Sequence, residues 1–305
     1  MLVQQFIIWQ TMLRLGVIAV AIGTTFPTDV AQADSPKAFV LRIGSTSTLT
    51  GNADSAKEKA GHETLRKFIK EETGLTNEIV GQEKWQDLTE KLSKGQYHLG
   101  VFQGFEFAWA QENNPNLKAL ALGINSYRYP TACVMVRRDN LAMSFANLKG
   151  QTMAVSLTGQ DCLNLFIERS CIANGIPRSD FFSKIITHEN IEDTLDDVVD
   201  GKVTATVIDQ VGLDGYKRRK PGRFNQLKEI ARSQPFPPVV IAYYGSTLDD
   251  ATLRLFKNCL LTAARKEKGE LLLTLSRLTA FEDVAADLPQ MLADTRKTYP
   301  KDVRK

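Results

Sequence analysis

The side chains with chemical potential in this 305-residue chain are few and mostly acidic. Glu106, Asp161 and Asp209 each stand near a junction where a short apolar, strand-like run gives way to a helix-like one. Tyr127, Tyr129 and His188 fall in connecting segments, and neutral hydrogen-bonding groups occur in Ser45-Thr46-Ser47-Thr48, in Gln103 and in the turn Leu157-Thr158-Gly159-Gln160. Three carboxylates brought into one cleft would suit a cationic or amine-bearing ligand better than a phosphate. Each residue also has an ordinary structural reading. Glu106 fits the first turn of a helix, Asp161 an N-cap, Asp209 a turn cap, His188 an exposed loop, and the hydroxyls local turn bonds.

Catalysis is poorly provided for. There is no Gly-x-Ser-x-Gly elbow, no His-Glu-x-x-His and no Gly-x-x-x-x-Gly-Lys-Ser/Thr, and the chain has 3 histidines, of which His62 and His98 read as structural. Cys133, Cys162, Cys171 and Cys259 match no zinc or redox spacing, so neither a metal nor a cofactor is expected. Cys162 and Cys171 fall on one predicted helix, about 13 Å apart along its axis, too far for a disulfide. With 38 Lys plus Arg against 35 Asp plus Glu, the net charge of +3 makes no nucleic-acid footprint. The basic run Lys217-Arg218-Arg219-Lys220 is expected to be a solvated loop.

These residues need a scaffold, and the chain spells one out. A strand over 39–44, a helix over 54–72, a strand over 77–80, a helix over 85–92, a strand over 98–102 and a helix over 105–112 follow one another. A second series runs through strands at 131–137, 152–156, 185–186 and 204–209, with helices ending at Ala173 and spanning 191–199. A strand at 238–243 then returns the chain to the first series, and helices at 249–266 and 288–298 close it. Such alternation implies α/β architecture with largely parallel sheets, whose ligands bind beyond the carboxyl ends of the strands. The candidate loops therefore follow Gly44, Phe102, Ser156 and Asp209.

The first 33 residues differ from the rest. Arg14 precedes the apolar run Leu15 to Gly23, which is too short to cross a membrane, and Ala31-Gln32-Ala33 offers a small-x-small cleavage site before Asp34. This reads as a secretory leader, with no cysteine after the site to carry a lipid.

Order and spacing of several segments resemble the phosphate/phosphonate-type periplasmic binding proteins of ABC transporters. The segments are Leu41-Arg42-Ile43-Gly44, Gln103-Gly104-Phe105, Leu148-Lys149-Gly150-Gln151, Gly175-Ile176-Pro177, Val198-Val199-Asp200-Gly201, Val207-Ile208-Asp209 and Ser233-Gln234-Pro235-Phe236-Pro237-Pro238. The resemblance implies a two-lobed type II binding-protein fold, each lobe a mostly parallel sheet flanked by helices, with the ligand cleft between lobes. It implies residues 34–130 and 238–305 as lobe 1 and 131–237 as lobe 2. It also implies an exported protein that hands a small polar ligand to a permease, touching the membrane only through that partner; the competing role is a ligand-sensing clamp. In relatives a Ser-Thr-Ser-Gly run opens the second-lobe helix and holds the phosphonate. The matching positions here are about Gln160, Asp161, Cys162 and Leu163, a departure that removes three hydroxyls and adds a carboxylate. The aspartate that relatives use for a ligand amine matches Asp209, and the ligand-binding set expected on all these grounds is Ser47, Thr48, Gln103, Glu106, Tyr127, Tyr129, Thr158, Gln160, Asp161, His188 and Asp209.

Overall fold

Leu41 and Ile43 alternate with exposed Arg42 at the start of the described chain, the period-two pattern of a strand with one face in a core. The structure, a computed structural model, describes residues 39–46, 55–157, 161–245 and 247–301. The leader segment and Ser47, Thr48, Thr158 and Gln160 lie outside the described residues.

Strand β1 (Val40–Thr46) leads to α1 (Ser55–Thr73), β2 (Thr76–Glu83), α2 (Trp85–Ser93), β3 (Leu99–Phe102), α3 (Gly104–Glu112) and β4 (Leu117–Ile124). A second series follows: β5 (Ala132–Arg137), β6 (Thr152–Ser156), α4 (Asp161–Ala173), α5 (Arg178–Phe181), β7 (Lys184–His188), α6 (Ile191–Val199), β8 (Ala205–Asp209), α7 (Gln210–Arg219), α8 (Pro221–Phe224) and β9 (Leu227–Arg232). The chain then returns through β10 (Val239–Tyr244), α9 (Asp250–Leu261), α10 (Glu267–Leu275), β11 (Ala280–Glu282) and α11 (Leu288–Thr298).

Two sheets result, one six-stranded in the order β11-β4-β10-β3-β1-β2 and one five-stranded in the order β7-β6-β8-β5-β9. Parallel pairing joins β1 to β2 and β3, and β6 to β7 and β8. The strand that returns from the second sheet, β10, runs antiparallel between β3 and β4. Its neighbours are buried on both faces, so β10 must be apolar on both, and Val240, Ile241 and Ala242 are. The chain passes between sheets at 125–131 and 233–238, and these segments are tied side by side. Ser233 N–H donates to Ala132 O at 2.8 Å, Phe236 N–H donates to Pro130 O at 2.8 Å, and the Ser233 hydroxyl accepts from Ala132 N–H at 2.9 Å.

Two expectations from sequence are corrected, that of largely parallel sheets and that of a solvated basic loop. Both sheets are mixed, because β10 pairs antiparallel with β3 and β4, β11 with β4, and β5 with β8 and β9. A strand that the sequence pattern does not announce also appears. Leu117 to Ile124, Leu-Lys-Ala-Leu-Ala-Leu-Gly-Ile, carries no β-branched run except its last residue, yet forms a central strand because its side chains are buried on both faces. The basic run at 217–220 is not a solvated loop but the end of α7 and its cap. It faces Glu192, Asp196 and Asp200, spaced four apart along one side of α6. Arg219 pairs with Glu192, Lys220 Nζ lies 2.6 Å from Asp196 Oδ2, and Arg223 reaches Asp196 and Asp200, each at 2.6 Å. Basic side chains also complement the helix C-terminus there.

Gly104 opens α3 against the returning segment. A Cβ at this position would stand 2.2 Å from the Pro237 carbonyl oxygen and 2.5 Å from that of Pro238, both rigid backbone atoms. Gly104→Ala should therefore cost about 1–3 kcal/mol of stability through overpacking, read as a lower urea midpoint. An unchanged midpoint would mean that the returning segment yields freely to α3.

Candidate functional site

Where β8 ends, Asp209 becomes the N-cap of α7 because its short carboxylate reaches back over the first turn: Oδ1 accepts from Gly212 N–H at 2.6 Å. The side chain is 7% exposed. Burial pushes its carboxyl above the usual range, opposed by the Gly212 N–H bond and by the nearby guanidinium of Arg277. Arg277 follows α10 on the other sheet's side of the molecule and holds a left-handed backbone, φ +54°, a conformation that costs energy for a residue with a Cβ. Asp209 and Arg277 both line one cavity of about 720 Å³.

Both sheets contribute to that cavity. Gln103 and Ser45 enter it from the first sheet, Asp209 and Gly212 from the second, and Asn125 and Tyr127 from a crossing segment. The start of α6 also borders it, with Asn190 as N-cap accepting from Asp193 N–H at 2.9 Å. Tyr127 is 46% exposed, and its hydroxyl donates to Asp214 Oδ2 at 2.6 Å, while Gln210 Nε2 donates to the other oxygen of Asp214 at 2.8 Å. That chain of bonds ties the crossing segment to α7.

The remaining described candidates are not among the residues lining the cavity. Glu106 is buried in the first turn of α3 and accepts from Gln103 N–H at 3.2 Å, half of a capping box that both residues complete. Tyr129 turns away and donates to Asp287 Oδ2 at 2.5 Å. His188 ends β7, and its Nε2 lies 2.8 Å from Asp197 Oδ2, though off the line of a good hydrogen bond. Asp161 occupies the first turn of α4 beside Cys162, a residue that does line the cavity. The three carboxylates Glu106, Asp161 and Asp209 are thus not gathered into one site; Asp209 alone of the three reaches the cavity.

Sequence reasoning missed Arg277, Asn125 and Asn190. Asn190 was legible as a cap, since Asn-Ile-Glu-Asp before an apolar period is a helix start. Arg277 gave no such signal, because the turn that holds it has neither glycine nor proline.

Asp161 is a different kind of group. Its Oδ2 is buried without a hydrogen-bond partner among the described residues, and burial pushes its carboxyl up to about 6, opposed by the Asn164 side chain. A folded-state value above the unfolded one stabilises the protein at low pH and ceases to do so as pH rises through about 6. Asp161→Asn should therefore raise stability at pH 7 by up to about 3 kcal/mol, with the gain vanishing below about pH 4. Urea titrations of both proteins at the two pH values check this, and equal stabilities at pH 7 would contradict it.

Residues 48–288 match the family described as "ABC transporter, phosphonate, periplasmic substrate-binding protein". Comparison with curated proteins finds no match. Among solved structures, a Xanthomonas citri protein bound to chloride ion is 17% identical, covering 85% of this chain and 97% of that one, with TM-score 0.61. PhnD1 from Prochlorococcus marinus in complex with methylphosphonate is 12% identical over 86% and 99% of the two chains, TM-score 0.58. A binding protein component of an ABC phosphonate transporter from Pseudomonas aeruginosa is 14% identical over 85% and 87%, TM-score 0.55. At these identities the structures share the fold, which is the type II periplasmic binding-protein fold. With two sheets contributing to one cavity and a family match across most of its length, the chain belongs to the periplasmic substrate-binding proteins of the ABC phosphonate-transporter type.

Proposed function

We propose that the protein is exported, with its mature end at Asp34, captures a small zwitterionic ligand between residues 34–130 plus 238–305 and residues 131–237, and delivers it to an ABC permease. The observation that carries the ligand class is that one cavity, also lined by Arg128, Glu192, Asp193 and Arg219, receives opposite charges from its two sides: Asp209 from the second sheet and Arg277 from the chain that follows α10. A buried carboxylate held above its ordinary range gains most from a cation brought to it. An ammonium group supplies that cation without displacing the α7 cap, because a carboxylate has acceptor sites to spare beyond Gly212 N–H. An oxyanion on the same ligand answers Arg277, whose planar fork suits phosphonate and carboxylate. The complex of PhnD1 with methylphosphonate supports the oxyanion half of this reading.

The ligand closes the two lobes about the paired crossing segments. No catalytic step is part of this function.

Asp209→Asn separates the roles, since asparagine caps a helix as well as aspartate does and the fold should survive. Isothermal titration of the unmodified protein should show 2-aminoethylphosphonate binding at least tenfold tighter than ethylphosphonate, about 1.4 kcal/mol, and the variant should lose that preference. Equal affinity of the unmodified protein for the two compounds would remove Asp209 as the seat of an amine.

A further inference from the structure

The charged groups lining the cavity, Arg128, Glu192, Asp193 and Arg219 as well as Asp209 and Arg277, are one part of it. Another part lies between the first sheet and helices α1, α9 and α10 and is largely aliphatic. Ile43, Ile79 and Val101 face it from three adjacent strands, and Leu65, Leu260 and Leu275 from the three helices. Leu65, Ile79 and Val101 stay only half-buried although they pack against a closed core that includes Leu41, Ile69 and Leu99, and Leu275 is half-buried as well.

Protein interiors are packed like organic crystals, and an unfilled apolar space forfeits contacts in proportion to its volume. Water repairs little of this deficit along the six aliphatic side chains, because a water molecule needs two or more polar partners and these side chains offer none, although His62 and Ser276 also line the cavity. A cavity of about 720 Å³ lies within the roughly 300–1,000 Å³ of small-molecule sites, and is far larger than a one-carbon phosphonate requires. The same space opens at its polar end onto Asp209, Arg277 and Gln103.

Resting on the reading of this cleft as a zwitterion site, we propose that the ligand is amphiphilic: a zwitterionic phosphonate or phosphate head bearing an aliphatic chain, with the chain inserted between the first sheet and α1, α9 and α10. The head stays at the mouth, between Asp209 and Arg277, and the chain fills the aliphatic floor. Such molecules arise as alkyl phosphonates or as single-chain phospholipid fragments, which share this chemistry.

The test is a chain-length series measured by isothermal titration on the full mature protein. The probes are 2-aminoethylphosphonate and its monoalkyl esters from methyl to decyl, below their micellar concentrations, with single-chain phosphoethanolamine lipids as a second arm and sodium alkyl sulfates as a third. Affinity should rise roughly two- to fourfold per methylene over the first several carbons, with an increasingly negative heat-capacity change. A stronger response in the lipid arm would identify the source as phospholipid, and a stronger one in the ester arm as phosphonate; either sustains the proposal. Flat or falling affinity along the ester series, with the parent compound still bound, overturns the chain and leaves the proposed function standing. Chain-dependent binding of the alkyl sulfates equal to that of the esters keeps the aliphatic floor and overturns the zwitterionic head. Silence of the parent and every probe overturns both. Ile79→Trp, at the edge strand β2, should lower the chain length at which affinity stops rising; a folded variant, verified by its melting transition, with an unchanged limit would place the chain elsewhere and overturn the proposal.

Discussion

The fold turns on one insertion. Strands β3 and β4 are successive in sequence but do not pair, because β10 occupies the place between them, and β10 arrives only after the entire second sheet has been built. The first sheet is therefore incomplete without the second, and the chain is obliged to cross between them twice. The crossings lie side by side and hydrogen-bonded, so they form a two-stranded link rather than two independent tethers. The close fit of Gly104 under Pro237 and Pro238 fixes where that link meets the start of α3, and so sets Gln103 at the mouth of the cavity.

On the opposite side, electrostatics does comparable positioning. Individual exposed ion pairs contribute little, but Glu192, Asp196 and Asp200 meet Arg219, Lys220 and Arg223 as a network, with the buried Tyr216 hydroxyl donating to Asp196 Oδ1 at 2.7 Å. That network holds α6 and α7 together along their length, and both helices begin at the cavity. Asp209 consequently has two duties. It satisfies the first turn of α7 and presents a destabilised carboxylate to the cleft, so the cost of burying the charge is borne by a group that the helix start needs in any case.

Much of this was legible in the residues. Alternating strands and helices gave the fold class, and the position of Asp209 at the end of an apolar strand marked it as facing the cleft. Leu117 to Ile124 resisted, since leucine and alanine favour helices and only burial on both faces makes that segment a strand. Glu106 and Asp161 were plausible site acids on spacing alone. Spacing does not tell which way a first-turn carboxylate turns, and Glu106 turned to its own helix start while Asp161 became a buried charge beside, not within, the cavity. Arg277 was illegible because its place depends on a strained turn after a helix that is positioned by contacts beyond itself, with α1 and with the turn at 263–265.

The central claim is that a ligand is gripped between the two sheets, bridging groups contributed by each. Small-angle X-ray scattering of the mature protein with and without saturating 2-aminoethylphosphonate, at concentrations set by a prior titration, tests it most directly. The account predicts a smaller radius of gyration and a shorter maximum dimension in the ligand-bound protein, as the lobes close about the crossing segments. Superimposable profiles at demonstrated saturation would contradict it.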